Sequence, residues 1–253
     1  MARAKRKTAA PARGRTASLP GIRFATYLEA MAAEIRATRS GEKSRLKLFA
    51  AAARLLESVV YRDLNVEVIS AEAELAKGTF YVYFDSKEQF LQELLGQYVA
   101  FEGQTFPAPV GAETAFAGVR RFVGWYAQTF ESNVGLLRCL VQLSSTDEGA
   151  HALWQARNSA VVERAFGDLM RRLGHPPADP GLLRLALRTA GGMLDQSLFT
   201  RYGLQASPGA ELRRVDFDTL VELLSLLLHR AVYAADPPRH EIARVSALIG
   251  ASR

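Results

Sequence analysis

Lys77, Thr79, Tyr81, Val82 and Tyr83 fall close together in one short run, a density of donors and aromatics suited to holding a partner. Phe80 and Phe84 stand four apart and so share the inward face of a short helix. That leaves Lys77, Thr79, Tyr81 and Val82 outward, a face able to reach base edges and phosphates in a groove. Gly78 lets that helix approach another backbone closely, and Lys87, opening the next helix, can hold a phosphate with that helix's free N–H groups. Bond-breaking chemistry finds no comparable cluster. There is no G-x-S-x-G, no glycine-rich phosphate loop ahead of a helix and no H-E-x-x-H. Asp147 and Glu148 are adjacent, which on a helix puts them on different faces. Cys139 is the single cysteine, and His151, His175, His229 and His240 show no ligand spacing. The expectation is no enzyme, no catalytic residue, no metal and no cofactor.

Charge is distributed unevenly. Residues 1–47 hold twelve Lys and Arg against three acids, an excess of nine positive charges. The chain's net charge is +6, so the rest of it sums to minus three. A basic arm on a slightly acidic body suits a polyanion partner, because clustered Lys and Arg gain by releasing counterions from phosphates; a solvated tail is the plainer alternative. With 49% apolar and 23% charged residues, the 253-residue chain has the composition of a globular protein with a real core. The longest apolar stretch, Leu220 to Ala235, is broken by Glu222, His229 and Arg230 and falls short of a membrane span. No apolar segment follows the basic N-terminus, so no secretory signal is expected.

Residues 1–20 carry Pro11, Gly14 and Pro20 and no apolar periodicity, and read as a disordered basic arm. Residues 22–38 place Phe24, Leu28, Met31 and Ile35 at helical spacing, and Arg39-Ser40-Gly41 breaks that helix. A second helix opens at Lys43 with a core face of Leu48, Ala51, Ala52, Leu55 and Leu56. Asn65 is a good cap for a short helix whose inward residues are Val66, Ile69 and Ala73. After a tight turn comes the Lys77–Phe84 helix, and Asp85 or Ser86 caps a fourth beginning at Lys87. Two short helices joined by a tight turn form a unit whose second helix can enter a DNA major groove. Beyond residue 100 the periodicity is helical throughout, punctuated by Pro/Gly clusters, so the fold class is all-α.

The run Lys77-Gly78-Thr79-Phe80-Tyr81-x-Tyr83-Phe84-x-Ser86-Lys87-Glu88 resembles the recognition helix and following cap of TetR-type (tetracycline-repressor-like) bacterial transcriptional regulators. Arg45, Leu48, Ala51, Ala52, Leu55 and Leu56, then Val66, Ile69 and Ala73, match that family's first two helices. The resemblance implies a helix-turn-helix DNA-binding domain over 42–99, preceded by an extra helix at 21–41 and followed by a helical ligand-binding and dimerisation domain over 100–253. Its DNA-facing set is Arg45, Asn65, Val66, Lys77, Gly78, Thr79, Tyr81, Val82, Tyr83 and Lys87. Three positions depart from the pattern: Val60 and Glu74 stand where glycine is usual, and Ala76 where a Ser or Thr cap is usual.

Aromatic residues on the later helices are compatible with a pocket for a small, mostly apolar effector; its candidates are Phe122, Trp125, Tyr126, Phe130, Cys139, Trp154, Phe166 and Met193. Arg138, Gln142, His151 and Asp195 are polar residues of the same helices that could line it. Leu183, Leu187, Ala190, Leu194 and Leu198 on one helix, and the nearly all-round apolar LVELLSLLLHRAV run, suggest a homodimer through residues 182–234. The reading is a ligand-responsive, cytoplasmic regulator, a repressor acting as a homodimer on a palindromic DNA operator and nucleoid-associated when bound. The alternative is a helical small-molecule-binding or adaptor protein with weak or lost DNA binding.

Overall fold

The computed structural model describes residues 22–35, 40–108, 110, 111, 113–173, 178–203 and 211–249. The basic arm expected at 1–20 lies outside them. Every regular element among the described residues is helical: α1 (Phe24–Glu34), α2 (Ser40–Leu55), α3 (Val66–Glu72), α4 (Lys77–Tyr83), α5 (Lys87–Thr105), α6 (Ala115–Leu143), α7 (Glu148–Leu173), α8 (Pro180–Tyr202), α9 (Glu211–Arg214) and α10 (Phe217–Tyr233), followed by two short 3-10 turns.

Helices α2, α3 and α4 and the first half of α5 close around Phe49, Phe80, Phe84 and Phe90, whose rings meet at 4.9–5.4 Å. Phe80 and Phe84 are buried, as their spacing predicts. Helix α1 lies along α2 and buries Phe24, Ala25, Leu28 and Ala32. Met31, expected inward, is exposed, because the buried stripe runs through Ala32 instead. The break expected at Arg39-Ser40-Gly41 is also displaced: Ser40 and Gly41 already belong to α2.

Helices α6, α7, α8 and α10 form the larger bundle. Their starts are set by short polar caps: Thr114 accepts from the Ala117 N–H (3.1 Å), Asp179 from Leu182 (2.9 Å) and Asp216 from Thr219 (3.0 Å). The segment after α10 folds back across α6 and α10, placing Ile242, Val245 and Ile249 around Phe116 and Leu226. Glu222, fully buried, ties it down by accepting from the backbone N–H groups of Ala243 (3.1 Å) and Val245 (2.9 Å).

The two units meet at a kink in α6. Asn133 leaves helical geometry there (φ −136°, ψ 21°), and its side chain accepts from the Phe24 N–H (2.8 Å) and donates to the Ile22 carbonyl (2.7 Å). Gly135 lies against the end of α2 so closely that a Cβ would sit 2.2 Å from the Leu56 carbonyl oxygen. Arg138 then donates to the carbonyls of Leu56 and Val59, satisfying groups left open where α2 ends.

Candidate DNA interface and effector cavity

The turn between α3 and α4 is built on hydrogen bonds that close the end of α3. The Leu75 N–H reaches the Ser70 carbonyl (2.9 Å) and the Glu74 N–H reaches that of Ala71 (3.0 Å). This pattern demands a left-handed residue between them, and Glu74 supplies it with φ 56°. Asn65 caps α3 by accepting from the Val68 N–H (2.9 Å). Ala76, at the equivalent place on α4, offers no side-chain cap.

On α4 the outward face is Lys77, Gly78, Tyr81 and Val82, with Tyr81 52% and Val82 72% exposed. Thr79 and Tyr83 are half-buried. Gly78 has nothing within 4 Å of where a Cβ would lie, so internal packing does not require a glycine there. Lys77 is paired with Glu67 across the turn, and this hydrogen bond raises the lysine pKa and lowers that of the glutamate. Both partners are exposed, so water weakens the pair and a phosphate can displace it.

The remaining expected contacts are placed differently. Val66 is buried, while Asn65 before it and Glu67 and Val68 after it are exposed. Lys87 turns its ammonium back onto the Leu64 carbonyl (3.0 Å), part-buried. Arg45 is paired with Glu93 and lies 4.7 Å over the Phe84 ring, clamping α2 to α5. Sequence reasoning missed the first turn of α2 as a neighbour of α4: a Cβ on Gly41 would lie 3.3 Å from the Tyr83 hydroxyl.

A cavity of about 600 Å³ lies among α6, α7, α8 and α10. Phe122, Tyr126 and Trp154 line it, as does Asp195. Five expected residues do not. Trp125, one position round the helix from Tyr126, faces Thr105 and Phe106 instead (Nε1 to Thr105 Oγ1 3.3 Å, rings 4.7 Å). Phe130 packs against Phe199 at 4.7 Å, Phe166 sits under the Arg184 guanidinium at 3.8 Å, and Met193 packs into the main core. Cys139 lies beyond the kink, where burial pushes its thiol up to about 12. Arg138 is spent on capping α2, and Gln142 and His151 are exposed.

Beside the cavity runs a buried polar chain that crosses four helices. Arg157 of α7 holds Glu102 of α5 through two hydrogen bonds (2.6 and 2.7 Å). Its guanidinium also donates to the Tyr126 hydroxyl of α6 (3.2 and 3.3 Å), and Tyr126 donates in turn to Asp195 of α8. Burial opposes the charge on Arg157, yet the Glu102 carboxylate holds its pKa above the ordinary range. Desolvation raises the Asp195 carboxyl and the Tyr126 phenol. Sequence reasoning missed Glu102 and Arg157, although each left a signal: a charge inside an apolar stripe, after Leu94 and Tyr98 and after Leu153 respectively. No group of three metal-ligating residues occurs among the described residues, and none of their helices is long and apolar enough to cross a membrane.

Residues 48–94 match the family described as bacterial regulatory proteins, tetR family. The chain is 26% identical over 135 residues to the HTH-type transcriptional regulator EthR of Mycolicibacterium smegmatis, an alignment covering 49% of this chain and 61% of that protein's length. Its fold is that of a TetR-family transcriptional regulator from Streptomyces coelicolor (TM-score 0.56, 19% identity, 78% of this chain and 91% of the other). It is also that of the fatty acid degradation regulator FadR from Bacillus halodurans (TM-score 0.58, 18% identity, 73% and 94%). What the comparisons share is the helix-turn-helix segment, which is similar to that of bacterial regulatory proteins of the tetR family.

Proposed function

We propose that the chain is a ligand-responsive transcriptional repressor that acts as a homodimer on a palindromic operator, in the cytoplasm and at the nucleoid. The observation that carries this reading is the outward face of α4, where Tyr81 and Val82 stand 52% and 72% exposed. Exposing an aromatic and a branched apolar side chain side by side has a use if a groove receives them. In this reading Lys77, Thr79, Tyr81, Val82 and Tyr83 meet base edges and phosphates, and Gly78 permits the close approach. The backbone at Asn65 and Val66 meets the phosphate chain, Arg45 and Lys87 hold the frame, and the basic arm adds phosphate contacts. Residues 42–99 are then the DNA-binding unit and 100–253 the effector and dimer unit, with α5 shared between them.

Dimerisation is supported by outer surfaces rather than by the faces expected from sequence. Leu187, Ala190, Leu194 and Leu198 are buried within the protomer. The outer face of α8 is Leu182, Leu185, Thr189, Gly192 and Gln196, spaced alternately three and four apart, and α10 adds Leu227. That spacing is the seam of packed helices, and two-fold pairing there yields the symmetric half-sites of a palindrome. A small effector in the cavity then changes operator affinity by a coupling of about 1–3 kcal/mol.

Selection of bound duplexes from a random pool tests the whole reading. The expected result is an enriched palindrome that Tyr81→Ala binds more weakly by about 1–3 kcal/mol, with an unchanged melting temperature. A second reading, a ligand-binding or adaptor protein with lost DNA binding, draws on Glu74 in its left-handed conformation and on the uncapped Ala76. A pool that yields no motif selects it over the first.

A further inference from the structure

Asp195 is the polar group that the cavity's apolar lining does not explain. It stands on α8 among Phe122, Trp154 and Leu187, and its one hydrogen bond among the described residues comes from the Tyr126 hydroxyl. The Asp195 Oδ2 has no partner there. Arg157 is the nearest positive neighbour and lowers the Asp195 carboxyl through space, but both its hydrogen bonds to a carboxylate go to Glu102. The buried cluster therefore holds two carboxylates and one guanidinium, and the uncompensated negative charge falls on the residue that lines the cavity. A carboxylate buried without a counter-ion is costly, and a ligand that supplies one recovers that cost.

We propose that the cavity takes an amphiphilic cation, an apolar body ending in a protonated amine that pairs with the Asp195 carboxylate. The proposal rests on the reading of this cavity as the effector site. Aromatic walls suit it further, since Phe122, Tyr126 and Trp154 line the cavity and aromatic rings attract a cation. Desolvation raises the Asp195 carboxyl even against the lowering influence of Arg157, so the guanidinium it shares with Glu102 does not offset its burial. An anionic head is the rival, because arginines also border the cavity. Their charges are spent or solvated, however. Arg121 and Arg172 are paired with Glu113, Arg171 with Asp168, and Arg188 donates to Ser159 (3.1 Å) while exposed. Arg164 lies 5.1 Å over Phe106 on the exposed side of α7. Charges in water are screened, and a buried one is screened much less, so Asp195 dominates the choice of head group.

Decylammonium, decanol and decanoate share one apolar body and differ only in the head, so their binding to the full chain, read by tryptophan fluorescence and melting temperature, is the test. The expected order places decylammonium about tenfold or more ahead of decanol and decanoate. Asp195→Asn is expected to remove that preference while keeping decanol binding. Where D195N fails to fold, Tyr126→Phe decides, since it removes the internal donor to Asp195 and should widen the preference for the ammonium. Decanoate binding tightest, or an ammonium preference that survives in D195N or narrows in Y126F, overturns the assignment. Binding of none of the three to the wild-type chain sinks the effector cavity itself, and the head-group assignment with it.

Discussion

Glu74 is a residue whose backbone and side chain pull in different directions. The turn between α3 and α4 needs a left-handed conformation, and at φ 56° a residue with a Cβ pays for it in steric strain. Its carboxylate also adds negative charge to a surface that, in the proposed function, faces phosphates. Glu74→Gly should therefore stabilise the fold by about 1 kcal/mol and tighten DNA binding at low salt together. Thermal melting and a salt titration of binding measure the two effects separately. A variant that melts lower than the wild type would show that the glutamate holds the turn through its side chain.

At the scale of elements, the kink in α6 joins the two units. Its parts are Asn133, which fastens the start of α1, and Gly135 and Arg138, which receive the end of α2. A methyl group at Gly135 meets the rigid backbone of Leu56 and Glu57, at 2.2–2.8 Å, with no flexible side chain to move aside. Gly135→Ala should cost about 1–3 kcal/mol of stability in chemical denaturation. If its denaturation curve matches the wild type, the joint is softer than its packing implies. A second clamp joins the start of α6 to the end of α7 through Glu113. Hydrogen bonds from Arg121, then Arg172, hold its carboxyl down at about 2 against an ordinary 4.5. A depressed carboxyl stabilises the folded state above its unfolded pKa, and the gain disappears as pH falls through the folded value. The melting-temperature advantage of the wild type over Glu113→Gln should thus be full near neutral pH and close between pH 4.5 and about 2. An advantage that does not vary with pH across that window assigns the clamp to shape rather than charge.

For the whole molecule, the open question is the partner of the outer faces of α8 and α10. Leu182 is 62% exposed, Leu185 58% and Leu227 36%. A dimer buries them, and Leu227→Glu then buries a carboxylate without a counter-ion at a cost of several kcal/mol. Sedimentation at micromolar concentration should find a wild-type dimer and an L227E monomer or aggregate. A monomeric wild type removes the dimer from the mechanism. The same measurement bears on regulation, because the Glu102–Arg157–Tyr126–Asp195 chain begins on α5, which carries the helix-turn-helix core at its other end.

Local chemistry determined much of this protein. The four-residue spacing of Phe80 and Phe84 oriented α4, Asn65 and Ser86 announced their helices, and the Lys77–Glu88 run carried the family resemblance, because each depends on residues a turn or two apart. What the sequence left open was which apolar face meets which. Leu187 and Leu194 read from sequence as a dimer seam and are buried within the protomer, and Phe130 and Phe166, named as cavity candidates, are packing residues, because periodicity marks a buried face without naming what buries it. The tertiary structure made those choices. It also brought Glu102 to Arg157 across 55 residues and Tyr126 to Asp195 at the cavity, pairings set by the packing of α5, α6, α7 and α8 and by no local pattern.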